Sequence, residues 1–113
     1  MANLHKYTSE EALNISYASD FEIQSAWSIS STEVSKDVSS YHTVLLQTDE
    51  DIYYGFAGDS SDILGTAANN LYLKGGDTIY ELAIPHGVGD SSDVYLHTLR
   101  KTSSDATARL VYT

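Results

Sequence analysis

The chain has no cysteine, one proline, one methionine and one tryptophan in 113 residues. Without cysteine there can be no disulfide, thiolate zinc site, iron–sulfur cluster or cysteine nucleophile. Cations are scarce too: six Lys and Arg stand against sixteen Asp and Glu, a formal charge of −10. That balance argues against DNA or RNA as a partner, because phosphate binding draws on Lys and Arg. It argues equally against docking on anionic lipid. No apolar run approaches the roughly 20 residues that a membrane helix needs. The first twenty residues lack the basic-then-apolar pattern of a secretory signal, so the expectation is a soluble acidic chain made in the cytoplasm. Strong helix formers are few, with six Glu and two Gln.

What the chain does have is Ser (16), Thr (10) and Tyr (9). Tyr, Thr, Val and Ile fit a pleated, half-buried surface, while clustered Ser and Asp make turns by bonding to nearby backbone. Charged residues at 19% are too few, and aromatics at 11% too many, for a disordered chain. The length suits one domain over residues 1–113, enough to bury roughly two-thirds of its unfolded surface.

Residues 1–12 are polar with isolated apolar side chains and read as a loose N-terminal arm, or as one helical turn capped by Ser9. Leu13, Ile15 and Tyr17 alternate with polar residues, which is strand spacing, and Phe21, Ile23, Trp27 and Ile29 continue it in a second run. The alternation places Trp27 in the core. Residues 30–40, SSTEVSKDVSS, read as a polar loop. Tyr41 to Thr48 is a strand with an apolar centre, and Ile52, Tyr54 and Phe56 alternate across the next. The three-residue acidic link between them predicts a β-hairpin. Short strands are further predicted over 71–73, 78–84, 94–100 and 106–113, with a Gly75-Gly76 turn and Pro85 and Gly87 as stops. The sum is an all-β fold, an antiparallel β-sandwich or flattened barrel of about eight strands.

Two identical strings, Gly58-Asp59-Ser60-Ser61-Asp62 and Gly89-Asp90-Ser91-Ser92-Asp93, admit two readings. Carboxylates crowded on a loop suit a hard cation, which makes Asp59, Asp62, Asp90 and Asp93 weak calcium candidates. Asp and Ser are also the residues that close turns, and no metal or other cofactor is expected. Asp49-Glu50-Asp51 could perform acid–base work only if burial separated its pKa values; on a hairpin tip it would stay solvated. The four histidines, His5, His42, His86 and His97, form no H-x-x-x-H or H-x-H pair. There is no G-x-S-x-G elbow, so no enzyme is expected. Tyr53 and Tyr54 are adjacent and must point to opposite faces, Tyr54 inward and Tyr53 outward. With Tyr72 and Tyr95, Tyr53 is a candidate contact residue for a sugar or a protein.

The order of elements carries a resemblance. It runs from Val44-Leu45-Leu46-Gln47-Thr48 through Asp49-Glu50-Asp51 to Ile52-Tyr53-Tyr54-Gly55-Phe56. Leu71-Tyr72-Leu73-Lys74-Gly75-Gly76-Asp77, Tyr80-Glu81-Leu82-Ala83-Ile84-Pro85 and the closing run of residues 106–112 follow. From about Val38 onward this resembles small β-sandwich virion accessory proteins of tailed bacteriophages, the head-decoration or cement type. Residues 1–37 depart from that class, which has a shorter leader. The resemblance implies a non-enzymatic capsid decoration protein on the virion surface. Its expected partners are the major capsid protein or other virion proteins, and it would act as a homo-oligomer, with a trimer as the expectation. Leu4, His5 and Tyr7 of the arm join Tyr53, Tyr72 and Tyr95 as expected interface residues. The alternatives are a carbohydrate- or receptor-binding module and a neck or tail accessory subunit.

Overall fold

A computed structural model describes residues 22–65 and 71–113. The strand expected at 13–17 and the arm of residues 1–12, with Leu4, His5 and Tyr7, lie outside the described residues. Among the described residues eight strands follow in order: β1 (Glu22–Ile29), β2 (Val34–Asp37), β3 (Thr43–Thr48), β4 (Ile52–Ala57), β5 (Tyr72–Leu73), β6 (Tyr80–Ala83), β7 (Tyr95–Arg100) and β8 (Ala106–Tyr112). They form two four-stranded sheets, β1-β8-β3-β6 and β2-β7-β4-β5, with every pairing antiparallel. The nested pairs β1–β8, β2–β7, β3–β6 and β4–β5 describe one long hairpin rolled over on itself. That is the strand order of a jelly roll.

The core lies between the sheets. Trp27, Ile29, Val44, Leu46, Leu82, Ile84, Ala108, Leu110 and Tyr112 enter from the first sheet. Val38, Ile52, Leu73, Val94 and Leu96 meet them from the second. Strict alternation on β8 buries Ala106, Ala108, Leu110 and Tyr112 and leaves Thr107 and Arg109 exposed, as period-2 spacing requires.

Two expectations fail. The stretch read as a polar loop, 30–40, contains β2. Its inward positions are Val34, Lys36 and Val38, and the lysine hides the alternation. Lys36 lays its stem between the sheets and sets its ammonium 5.1 Å from the Tyr112 ring centroid. An inward charge on an edge strand also discourages pairing with foreign strands.

The second failure is the hairpin. β3 and β4 belong to different sheets, so Asp49-Glu50-Asp51 is an arch between layers. A three-residue link can close either structure; the partners decide. Both edges of β3 are taken by β8 and β6, and both edges of β4 by β7 and β5. The acidic residues tie the arch down. Asp49 Oδ1 accepts the Thr107 N–H at 2.7 Å, and Asp51 Oδ1 accepts the Gly75 N–H at 2.9 Å. Gly75 is needed there, because a Cβ would lie 2.5 Å from Glu50 Cα.

Candidate functional site

Alternation sorts the second sheet into two faces. Tyr54 and Phe56 pack on the core, so Tyr53 and Gly55 point outward. On β7 the inward residues are Leu96 and Thr98, which turns Tyr95, His97 and Leu99 outward. Register aligns these side chains in rows: Tyr72 beside Tyr53 beside Leu99, Gly55 beside His97 beside Ser35, and Ala57 beside Tyr95 beside Asp37.

The middle row is covered. Residues 58–65 leave β4 and fold back over the face. Leu64 is 2% exposed, although it stands apart from the core between the sheets. Gly55 makes the room, since a Cβ there would come within 3.2 Å of Ile63 Cδ1. Glu33, just ahead of β2, holds the segment. Its Oε2 accepts the Ile63 N–H and its Oε1 the Leu64 N–H, both at 2.9 Å. Oε2 also lies 2.7 Å from His97 Nδ1. The other ring nitrogen, Nε2, is 2.8 Å from the Asp59 carbonyl. The side chains of His97 and Glu33 are 0% and 3% exposed. A carbonyl only accepts, so Nε2 carries a proton and donates it to Asp59 O. The ring edge that a general base would turn to a nucleophile is thus engaged by backbone.

The row nearest β5 is open at Tyr72 and half-buried at Tyr53 and Leu99. Tyr72 is 52% exposed and Leu71 66%. The Lys101 ammonium lies 4.7 Å from the Tyr72 ring centroid and 6.0 Å from that of Tyr53. Of the three tyrosines expected outward, Tyr53 and Tyr72 are direct cross-strand neighbours. Tyr95 shares their face at the far end, opposite Ala57, four residues along the strand from Tyr53 and so about 13 Å away. Between them sits the covered row.

The two Gly-Asp-Ser-Ser-Asp strings lie against each other. Ser91 Oγ donates to the Gly58 carbonyl at 3.1 Å, and a Cβ on Gly58 would sit 2.7 Å from Ser91 Cβ. Asp59 Oδ1 accepts the Ser61 N–H, and Ser91 Oγ accepts the Asp93 N–H. These are turn-closing bonds. Among the described residues no three His, Asp or Glu side chains gather as a metal site, so Asp59, Asp62, Asp90 and Asp93 are not brought together as ligands. On the opposite sheet an open depression of about 300 Å³ is lined by Gln47, Asp49, Asp77, Thr107 and Arg109. Part of its polar lining is already used: Asp49 bonds Thr107, and Gln47 Nε2 donates to the Gly76 carbonyl at 3.4 Å.

One shifted carboxyl lies on the outer face of the second sheet, at the end of β2. Ser39 donates both its hydroxyl and its N–H to Asp37 Oδ1, and these bonds hold the Asp37 carboxyl below the ordinary aspartate value.

The Glu33–His97 pair escaped the sequence reading. Its members stand 64 residues apart. The spacing around His97 tells that it points outward; nothing in the sequence tells that a loop lies over it. No family model matches the chain, and neither a curated protein nor a solved structure matches it.

Proposed function

We propose that this chain is a non-enzymatic structural protein that docks on a larger assembly through the outer face of its second sheet. The specific assembly proposed is a tailed-phage head, with the chain as a decoration protein on the capsid surface and the major capsid protein as its partner. One observation carries the docking reading: Tyr72, 52% exposed, stands beside the half-buried Tyr53 on the outer face of the second sheet, with the exposed Leu71 next to it at the sheet edge. Tyrosines supply large contact area with few rotatable bonds, which is why interfaces favour them. The strand order adds support of a weaker kind, because jelly rolls recur in viral capsid and lectin domains, and a fold alone does not fix a function.

The same strip supports a second reading, a carbohydrate-binding module, since Tyr53 and Tyr72 stand side by side. The Lys101 ammonium over the Tyr72 ring competes with a sugar for that ring, which favours the protein surface as partner.

Quantitative mass spectrometry of purified particles tests the first reading. Hundreds of copies per particle are expected for head decoration; a single ring's worth marks a neck or tail subunit instead. Absence from particles, together with failure to bind empty shells, overturns it. Tyr53→Ser with Tyr72→Ser should abolish shell binding while the circular-dichroism spectrum stays that of the parent. A glycan array reads the second, where a hit lost in the same double variant would replace the first. Light scattering of the free protein measures the proposed trimer.

A further inference from the structure

β5 ends the second sheet, and its outer edge carries no strand among the described residues. Register fixes which backbone groups face that edge. Tyr72 lies opposite Tyr53, and the Tyr54 N–H donates to the Leu71 carbonyl at 3.2 Å. Bonded and non-bonded pairs alternate along an antiparallel ladder. Leu71 and Leu73 therefore spend their backbone groups on β4, and Tyr72 turns its N–H and C=O away from the sheet. The exposed side chains of Leu71 and Tyr72 stand at the same place.

The other sheet edges are guarded. A register shift between Gln24 and Trp27 breaks β1, the inward Lys36 charges β2, and Pro85 stops the chain just after β6. β5 has only its shortness, two residues. A strand added to it must gain from side chains as well as from backbone.

Charge selects that strand. Among the described cations, Lys36 faces Tyr112, Arg100 pairs with Asp105, and Arg109 lies on the other sheet. The remaining two flank β5. Lys74 follows Leu73 directly, and the Lys101 ammonium is 4.7 Å from the Tyr72 ring centroid. Both are exposed, and neither forms an ion pair among the described residues. Asp51, beside them, gives its Oδ1 to the Gly75 N–H.

We propose, on the docking reading above, that an acidic extended segment of the partner protein adds to β5 as the next strand of the second sheet. Its backbone bonds the Tyr72 N–H and C=O, and its carboxylates meet Lys74 and Lys101. Such a strand lies about 4.8 Å from β5, within the reach of a lysine side chain. Its residue opposite Tyr72 shares the face of that ring and covers it. The formal charge of −10 repels an acidic segment from the rest of the surface, so the two lysines steer it to this edge.

Hydrogen exchange of the full chain, free and bound to empty shells, is quenched and read residue by residue. Binding should slow the Tyr72 amide at least about tenfold and leave that of Ala83 on β6 unchanged. Lys74→Glu and Lys101→Glu should each weaken shell binding about tenfold, whereas Arg109→Glu, an equal change of charge on the other sheet, should alter it less than about twofold. Circular dichroism checks that each variant is folded. Binding that leaves the Tyr72 amide fast, or that responds to all three reversals alike, overturns the added strand while the docking reading stands. Parent-like binding by the Tyr53→Ser, Tyr72→Ser double variant, or no binding by the parent, overturns the docking reading and the strand with it. A free protein that is dimeric by light scattering and already slow at the Tyr72 amide assigns the edge to a second copy, which also overturns the proposal.

Discussion

Two rows of one sheet face, one register step apart, have opposite fates. At Gly55 and His97 the face is closed by backbone and the buried, hydrogen-bonded Glu33–His97 pair; at Tyr72 it is open to solvent, with Tyr53 half-buried beside it. The size of the outward residue on β4 separates them. Glycine at 55 leaves space into which Ile63 and Leu64 settle, whereas tyrosine at 53 fills its own space beside Tyr72. Polar groups go to the closed row, where each finds partners, and rings remain in the open row. The comparison teaches that a sheet face can be divided between stability and recognition by one missing side chain.

The largest effect should come from the closed row. Removing one member of a buried pair costs about 3–5 kcal/mol when the other is left buried and charged. The pair is covered by a surface segment rather than by the core between the sheets, so water can reach the vacated site and Glu33→Ala should cost about 2–3 kcal/mol, read as a fall in melting temperature of about 10 °C. Leu64→Ala should follow at about 2 kcal/mol, since Leu64 is 2% exposed and its neighbours can collapse only in part. A loss below about 0.5 kcal/mol in urea titration would mean that the segment of residues 58–65 adds nothing to the fold.

Thr98 offers a contrast on the same strand. It is fully buried, as His97 is, yet its Oγ1 has no hydrogen-bond partner among the described residues. Thr98→Val removes that unpaired hydroxyl and should stabilise by about 1 kcal/mol in the same titration. The open row should respond least in stability. Tyr72→Ser loses an exposed ring and its contact with Lys101, about 0.5 kcal/mol. If it costs as much as Glu33→Ala, the open row is structural after all and the comparison breaks.

The smallest effect is the acid-side contribution of Asp37. Its carboxyl is held below the ordinary value of 3.8 by the Ser39 hydroxyl and N–H. A lowered folded-state value means that the charged form is favoured by folding. The contribution is therefore complete above the unfolded value and fades as pH falls through the lowered one. The group is exposed, so the effect is small and screened by salt. Comparing urea midpoints of Asp37→Asn and the parent should show a gap at neutral pH that closes in acid.

The amino-acid sequence by itself determined the fold class. Alternation of apolar residues wrote most of the strands, put Trp27, Leu110 and Tyr112 in the core, and turned Tyr53 outward from Tyr54. These are local matters, fixed by the period of a pleated chain. The sequence did not reveal β2, because an inward lysine interrupts the pattern and its stem does the work of an apolar residue. Nor did it tell an arch from a hairpin at Asp49-Glu50-Asp51, since turn chemistry is the same in both and only the strands on either side choose the sheet. Only the tertiary structure decided which outward residues stay outside. Whether His97 meets water or Glu33 depends on a segment that returns over it, and a contact spanning 64 residues leaves no mark in either neighbourhood.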